Sequence, residues 1–219
     1  MTDRQEKYIA FFDIDKTVLS VNSSVPLILK AYKMGLMPTA SLLKAIGLSV
    51  VYKLRLRNTI DITESMAFWL KGIPEDTVAK LSEQLVSEKL VHRIRPSVLQ
   101  EIEYHRSQGA RVVILSASLP YTSIPLARHL HMDDVICSSM EVVDGKFTGK
   151  PKGKICIEKE KEVRVRQYCS KGCAVEQAWC YGDSYSDRYV MEICGHVVCV
   201  TPDSRLKKLA KIRNWKVIR

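Results

Sequence analysis

The stretch Tyr8-Ile9-Ala10-Phe11-Phe12, followed at once by Asp13-Ile14-Asp15-Lys16-Thr17, decides the fold of this chain. Five consecutive apolar residues predict a strand that is buried on both faces, as in a parallel sheet. A buried carboxylate costs free energy unless it is paired or bound to a metal. Two carboxylates directly after a buried strand therefore indicate a functional role at that position. Because ligands bind at the carboxyl ends of strands in open α/β sheets, Asp13 and Asp15 are candidate active-site residues.

Length and composition are those of an ordinary soluble globular protein. The chain has 219 residues, enough for one catalytic domain with a small inserted unit, and its apolar fraction of 46% can form a sizeable core. A net charge of +10 raises the question of nucleic acid. The positive charges are spread along the chain without a nucleic-acid motif, so we expect no nucleic-acid partner and a basic surface that attracts anionic substrates.

The N-terminal segment and the cysteines predict a cytoplasmic protein. Residues 1–7 are polar and mixed in charge, unlike a signal peptide. Seven cysteines are an odd number, and several lie inside apolar runs, which favours reduced, buried thiols. The pairs Cys169/Cys173 and Cys194/Cys199 have loose spacings without histidine partners, so a zinc site is disfavoured.

Residues 20–92 have the pattern of a helical unit without strands. Four amphipathic or apolar segments are predicted to be helices, namely Val25–Lys33, Ser41–Leu56, Ile60–Leu70 and Pro74–Leu90. The second is strongly apolar but short for a membrane span, and it contains Lys44. We interpret it as a buried bundle helix and expect no stable membrane insertion, with an interfacial helix as the alternative.

The rest of the chain alternates strands with helices, which predicts an α/β fold with a doubly wound parallel sheet. An Asp144-Gly145 pair predicts a hairpin turn. The predicted strands are Arg111–Leu115, Val135–Cys137, Ala178–Tyr181 and Val197–Val200, and the predicted helices are Tyr121–His131, Arg188–Cys194 and a basic C-terminal helix. Three of the buried strands end in polar clusters, at Asp13, at Ser116 and at Asp183, and parallel strands bring these ends to one edge of the sheet.

This order of motifs resembles the haloacid dehalogenase-like superfamily of hydrolases. The motifs are Asp13-x-Asp15-x-Thr17, a serine at the end of a buried strand, a lysine ahead of the fourth strand, and Gly182-Asp183-x-x-x-Asp187. The helical insertion resembles the cap of the phosphoserine-phosphatase-like subfamily (subfamily IB). The resemblance implies a Rossmann-like catalytic core formed by residues 1–19 and 93–219, with a helical-bundle cap formed by residues 20–92.

The resemblance also implies a Mg²⁺-dependent phosphatase mechanism. Asp13 is the expected nucleophile, which forms an aspartyl-phosphate, and with Asp183 it is an expected Mg²⁺ ligand. Asp15 is expected to supply a backbone carbonyl to the metal, while its side chain protonates the leaving alcohol and then activates water. Asp187 is expected either to hold a metal-bound water or to anchor the active-site lysine.

Phosphoryl oxygens must be bound by groups that spread their charge in the transition state. The groups expected to do this are Thr17, Ser116, Ala117 and the backbone N–H groups of the 13–15 turn. The family also places a lysine before the fourth strand. Lys161 fits that place, with Lys154 and Lys159 as alternatives.

The substrate is left open by the sequence. We expect a small, soluble phosphorylated metabolite. Phosphoserine phosphatase itself is one alternative, but Asn22 stands where that enzyme carries a glutamate for the substrate ammonium, so Asn22 is the candidate substrate contact. Arg55 and Arg57 could meet a substrate carboxylate or a second phosphate, but we favour exposed charges on the helical bundle. An enzyme or binding module at a membrane surface, acting on lipid phosphate, is the other alternative, suggested by the apolar segment 41–56 and its basic flank.

Overall fold

The structure is a computed structural model that describes residues 7–54, 68–170 and 172–219. Most of the predicted helix Ile60–Leu70 and the two arginines Arg55 and Arg57 lie outside these ranges. Within them, the alternating pattern of strands and helices predicted from the sequence is present.

Six parallel strands form one sheet in the order β3-β2-β1-β6-β7-β8. The strands are β1 (Ile9–Phe12), β2 (Arg111–Ser116), β3 (Asp134–Cys137), β6 (Trp179–Gly182), β7 (His196–Val200) and β8 (Lys216–Ile218). The first strand lies between β2 and β6, so the motif that follows it is at the centre of the sheet. This confirms the predicted doubly wound parallel sheet.

The two faces of the sheet are covered by separate apolar layers, because side chains alternate along a strand. Ala10 and Phe12 point into a cluster with helical residues on one side, and Ile9 and Phe11 point into a second cluster on the other. All four are buried, which explains why β1 is a continuous apolar run.

The helices that flank the sheet are α4 (Pro96–Ser107), α5 (Pro120–His129), α6 (Lys159–Cys169), α7 (Arg188–Met191) and α8 (Ser204–Arg213). Helix α7 is shorter than predicted, because it ends at Met191 rather than Cys194. After α8, Asn214 takes a left-handed conformation (φ 55°) and the chain forms β8. The sequence analysis missed β8, because this edge strand has three residues and two of them are exposed.

A separate hairpin follows β3. Its strands are β4 (Met140–Val143) and β5 (Lys146–Pro151), which pair in antiparallel fashion. Asp144 and Gly145 form the turn with φ values of 49° and 72°. Two successive positive φ values are what a type I′ turn requires, so the hairpin predicted from Asp144-Gly145 is confirmed.

The segment between β1 and α4 is helical where the structure describes it. It contains α1 (Ser24–Lys33), α2 (Thr39–Leu54) and α3 (Glu75–Leu85), and short helical turns continue from α3 to Arg93. Of the four helices predicted for this segment, these are the three that the described residues contain. Leu27 and Ala31 of α1 lie in the same buried cluster as residues of α3. No helix within the described ranges has the length and apolarity needed to cross a bilayer.

The two connections between this segment and the sheet lie side by side. The N–H of Ser20 donates to the carbonyl of Arg93 (2.8 Å), and the N–H of Arg95 donates to the carbonyl of Val18 (2.9 Å). These bonds enclose an antiparallel bridge between Leu19 and Ile94. The helical segment therefore leaves and re-enters the core at one point.

A buried polar chain ties α4 to the sheet. The side chain of His105 is buried, with Nδ1 2.9 Å from the Tyr8 hydroxyl and Nε2 2.7 Å from the Tyr181 hydroxyl. The Tyr181 hydroxyl donates to Glu101 (2.6 Å), so it must accept from Nε2–H, and Nδ1 then accepts from Tyr8. Burial lowers the pKa of His105 to about 4. The imidazole is therefore neutral at physiological pH.

We predict that His105 makes the fold sensitive to mild acid. A histidine whose pKa is lowered on folding stabilises the protein fully above its unfolded pKa of about 6.5, and this stability is lost as the pH falls towards the folded pKa. Between about pH 7.5 and about pH 5 the wild type should lose about 2 kcal/mol of unfolding free energy relative to His105→Phe. Urea unfolding of both proteins at the two pH values measures this difference.

The variant itself should be less stable at the higher pH, because the hydroxyls of Tyr8 and Tyr181 lose their partner. His129→Gln is the matched control, since His129 is exposed, and it should keep the wild-type pH dependence. Equal pH dependence of wild type and His105→Phe would contradict the prediction. Carboxylates contribute alike to both proteins and cancel in the comparison.

Candidate active site

The turn after β1 brings its acids to the carboxyl edge of the sheet. The N–H of Asp13 still donates to Tyr181 of β6 (3.0 Å), so this residue is the last one held by the sheet. The backbone then turns sharply at Lys16, which takes a positive φ of 62° and whose N–H donates to Val21 (3.1 Å). This conformation is uncommon for a non-glycine residue and fixes the turn.

Three carboxylates converge at this edge. One oxygen each from Asp13, Asp183 and Asp187 lies within 4.8 Å of the others. None of the three residues is more than 9% exposed. Asp183 follows β6 and Asp187 lies one turn later, so the sheet brings together residues that are 170 positions or more apart from Asp13.

Lys161 balances part of this negative charge. The residue is 3% exposed, and its ammonium donates to Asp13 Oδ1 and to Asp187 Oδ1, each at 2.7 Å. The other candidates, Lys154 and Lys159, are exposed. Of the three lysines that the sequence left open, the structure therefore brings only Lys161 to the acidic cluster.

Helix α6 presents Lys161 to the site from its first turn. Arg164, three residues on, donates to the carbonyl of Cys137 at the end of β3 and to the carbonyl of Lys154, each at 2.6 Å. These bonds hold the start of α6 against the sheet edge. Lys161 is thereby fixed opposite Asp13.

The directions of the pKa shifts in the cluster indicate that it lacks positive charge. Burial, and then the neighbouring carboxylate of Asp13, raise the pKa of Asp183 to about 8. Burial likewise raises the pKa of Asp13, against the opposing effect of Lys161. Burial alone would lower the pKa of Lys161, but Asp13 and Asp187 hold it well above its usual value. Three ionised carboxylates facing one ammonium would leave an excess of buried negative charge, and this is why the protonated form of Asp183 is favoured.

Asp187 has two partners, one for each oxygen. Its Oδ1 accepts from Lys161, and its Oδ2 accepts from the N–H of Ser184 (3.2 Å) as part of a capping box. The geometry fits the expectation of a lysine anchor. The same residue also caps the turn that follows β6, because a capping box satisfies N–H groups that would otherwise be unpaired.

Asp15 is held by the start of the helical segment. Its Oδ1 accepts from the N–H of Ser23 (2.8 Å), and burial raises the pKa of its carboxyl. The Ser23 hydroxyl lies 3.3 Å from the Ser118 hydroxyl. Neither Ser23 nor Ser118 is among the site residues that the sequence predicts. Small hydroxyl residues in a loop give no sequence signal that separates such contacts from capping.

The predicted phosphate-binding groups lie in the turn after β1 and at the end of β2. Ser116 is buried, and its Oγ accepts from the N–H of Ser118 (3.1 Å), with Ala117 between them. Thr17 is fully buried, and its Oγ1 has no hydrogen-bond partner among the residues that the structure describes. A buried hydroxyl without a partner is costly, so Thr17 is suited to a ligand that supplies one.

Asn22 has a local role in the structure. Its side chain is exposed, and its Oδ1 accepts from both the N–H and the hydroxyl of Ser24 at 3.0 and 2.6 Å. The amide oxygen therefore caps α1, while its NH₂ group is left to other contacts.

The acidic cluster fits a hard divalent cation. Carboxylate oxygens are the ligands that Mg²⁺ prefers. A bound cation would also offset the free-energy cost of burying several ionised carboxylates. Oδ2 of Asp13 has no hydrogen-bond donor in the part of the chain that the structure describes. The cysteines are unlike this cluster: all seven are free thiols, and no cysteine group within the described ranges could hold a metal.

Several of the proteins that are similar to this chain are named as phosphatases. A probable phosphatase of Mycobacterium tuberculosis (strain H37Rv) is 30% identical over 223 residues, which cover 95% of this chain and 74% of that protein. A histidinol-phosphatase of Neisseria meningitidis is 22% identical, over 97% of this chain and 98% of that one.

A solved structure of a substrate-bound phosphoserine phosphatase has the same fold, with a TM-score of 0.71 at 18% identity, over 97% of this chain and 93% of that one. The family model of haloacid dehalogenase-like hydrolases matches residues 10–192, from the first strand to the helix after the last motif. On this match and on the phosphatase relatives, the chain belongs to the haloacid dehalogenase-like hydrolase family and is one of its phosphatases.

Proposed function

We propose that the protein is a Mg²⁺-dependent phosphomonoesterase that works through an aspartyl-phosphate on Asp13. The observation that carries the proposal is the buried cluster of Asp13, Asp183 and Asp187 with Lys161 in contact with two of its members. A carboxylate at the centre of a sheet edge, with one oxygen fixed by an ammonium and the other free, is an oriented nucleophile.

Asp13 attacks the phosphorus with Oδ2, while Lys161 holds Oδ1 and offers charge to the phosphoryl oxygens. Asp13, Asp183, the Asp15 carbonyl and, directly or through water, Asp187 would hold Mg²⁺, and the ion would supply the positive charge that lets two anions approach each other. The described contacts support Asp187 as the anchor of Lys161.

Asp15 is the proposed general acid and base. Its raised pKa suits a group that gives a proton to the leaving alcohol and then takes one from water. Ser23 fixes its orientation through the backbone N–H. Ser116, the Ala117 N–H and the Thr17 hydroxyl are the proposed donors to the phosphoryl group, and the orphaned Thr17 hydroxyl supports this role.

The proposed substrate is a small molecule with one phosphomonoester group. Relatives are named for histidinol phosphate and phosphoserine, both of this kind. Asn22, whose oxygen caps α1, can offer only its NH₂ group, which suits an acceptor and not an ammonium. This favours a substrate other than phosphoserine.

Residues 20–92 are the proposed cap over the site, with residues 1–19 and 93–219 as the catalytic core. The paired connections at Ser20 and Arg93 support a single hinge. The contact from Ser23 to Asp15 supports a cap whose position is coupled to the general acid.

Asp13→Asn should abolish turnover without unfolding the protein. We expect hydrolysis of p-nitrophenyl phosphate to fall by at least about 10³-fold, because the nucleophile is lost while the shape is kept. The melting temperature in EDTA should rise, because a carboxylate whose pKa is raised on folding costs free energy above its unfolded pKa. Asp144→Asn, in the exposed hairpin turn, is the control and should keep wild-type activity and melting temperature. Near-normal hydrolysis by Asp13→Asn would exclude the covalent mechanism.

Metal removal should abolish activity reversibly. We expect no hydrolysis in EDTA, recovery with Mg²⁺, and inhibition by Ca²⁺, which prefers longer bonds and more ligands. Mg²⁺ should also raise the melting temperature, because it binds only the folded cluster. Asp183→Asn should reduce that rise, which is a readout independent of activity. Full activity in EDTA, or an unchanged rise in Asp183→Asn, would contradict the proposed ligand set.

Lys161→Met should lower both activity and stability. The variant leaves the carboxylates of Asp13 and Asp187 buried without a cation, and breaking a buried ion pair costs about 3–5 kcal/mol of unfolding free energy. Lys159→Met, on the same helix but exposed, should stay within about 0.5 kcal/mol and remain active. Urea unfolding and phosphatase assays of both variants test this. If Lys159→Met lost activity and stability and Lys161→Met did not, Lys159 would be the active-site lysine and the assignment of Lys161 would be wrong.

A further inference from the structure

Helix α1 carries an exposed apolar stripe opposite its buried face. Leu27 and Ala31 are buried in the core cluster. Val25, Leu29 and Tyr32 are 53%, 48% and 37% exposed. At 100° per residue these three fall within one narrow arc, on the side of the helix opposite the buried pair. The helix is therefore apolar on two sides. Among the described residues, only the side with Leu27 and Ala31 packs against the core.

Helix α2, which follows α1, adds two more exposed apolar side chains. Leu43 and Ile46 are 64% and 53% exposed, one turn apart on the helix. The two helices are joined where the Tyr32 hydroxyl meets the Thr39 hydroxyl at 3.4 Å. Phe68, 52% exposed, lies 5.4 Å from the Lys44 ammonium. We refer to the exposed side chains of Val25, Leu29, Tyr32, Leu43, Ile46 and Phe68 as the apolar cap face.

The sequence of helices α1 and α2 contains no acidic residue, although Asp61 and Glu64 precede Phe68 in the chain and Glu88 pairs with Lys30 at 3.4 Å. From residue 16 to residue 60 there is no Asp or Glu, although 24 acids in 219 residues would place about five in a segment of that length. The same segment contains seven cations: Lys16, Lys30, Lys33, Lys44, Lys53, Arg55 and Arg57. Exposed apolar side chains in a segment whose charged residues are all positive are typical of surfaces that bind anionic membranes.

We propose that the apolar cap face docks the protein onto an anionic membrane surface. Apolar side chains gain free energy by entering the region between head groups and acyl chains, and cations gain it from the negative surface potential. A second copy of the chain fits less well, because two such faces in contact would bring like charges together. The docking is peripheral, in keeping with the absence of a membrane-spanning helix among the described residues.

Docking would place the active site next to the membrane. Helix α1 starts beside Asp15, whose carboxylate accepts from the N–H of Ser23, two residues before Val25. The first residue of the apolar cap face is therefore close to the proposed general acid. Docking itself does not depend on the proposed phosphatase reaction, although its consequence for substrate access does.

Vesicle co-sedimentation of the full chain tests the proposal. Vesicles of phosphatidylcholine with one third phosphatidylglycerol should bind the wild type at about 0.1 M salt, and pure phosphatidylcholine should bind it much less. Leu43→Ser/Ile46→Ser should weaken binding at least tenfold. Each cation near an anionic surface contributes about fivefold in affinity, so Lys33→Gln/Lys44→Gln should weaken it by more than tenfold.

Matched controls lie on α8, away from the cap. Ile212→Ser removes the exposed side chain of Ile212 (76% exposed), and Lys207→Gln/Lys208→Gln removes two exposed charges. Both should bind vesicles like the wild type. The proposal is overturned if the wild type stays in the supernatant, or if the controls weaken binding as much as the cap variants. It is also overturned if light scattering shows a dimer that Leu43→Ser/Ile46→Ser dissociates.

Hydrolysis of p-nitrophenyl phosphate separates this inference from the proposed function. All four variants should keep wild-type rates on this soluble substrate, because none of the changed residues contacts the acidic cluster. Vesicle binding without hydrolysis by the wild type would refute the proposed reaction and leave the docking intact. Hydrolysis without vesicle binding would refute the docking and leave the proposed reaction intact.

Discussion

The ion pairs of Lys161 with Asp13 and Asp187 are the interaction on which the candidate active site depends. Desolvation raises the pKa of Asp13 and of Asp183, so the cluster resists being both buried and ionised. One ammonium in contact with two carboxylates makes such an arrangement tolerable but does not neutralise it. The rest of the fold, from the buried first strand to the anchored start of α6, supplies the rigidity that keeps these groups together.

The sheet and its active edge could be predicted because their signals are local and strong. A continuous apolar run such as β1 has few interpretations, and two acids directly after it point to the carboxyl edge. The lysine could not be singled out in the same way. Lys154, Lys159 and Lys161 share one basic stretch, and only the packing of α6, fixed by Arg164, decides which side chain is buried.

Other differences arise where local sequence carries little information. Strand β8 was missed because an exposed edge strand of three residues has no apolar pattern to read. Asn22 was assigned from its position in a motif, whereas its oxygen caps α1. His105 has no recognisable sequence signal either, because it links two tyrosines 173 residues apart in a buried polar chain that only the sheet brings together.

The bridge between Leu19 and Ile94 has a consequence for how such a protein can change over evolution. The bridge holds the two ends of the helical segment next to each other. With respect to the sheet, the segment therefore behaves as one long loop whose ends are fixed. The entropy of closing a loop grows only slowly with its length, so helices can be added, shortened or exchanged beyond the bridge at little cost to the sheet. The residues at the sheet edge can thereby keep their arrangement while the helical segment changes.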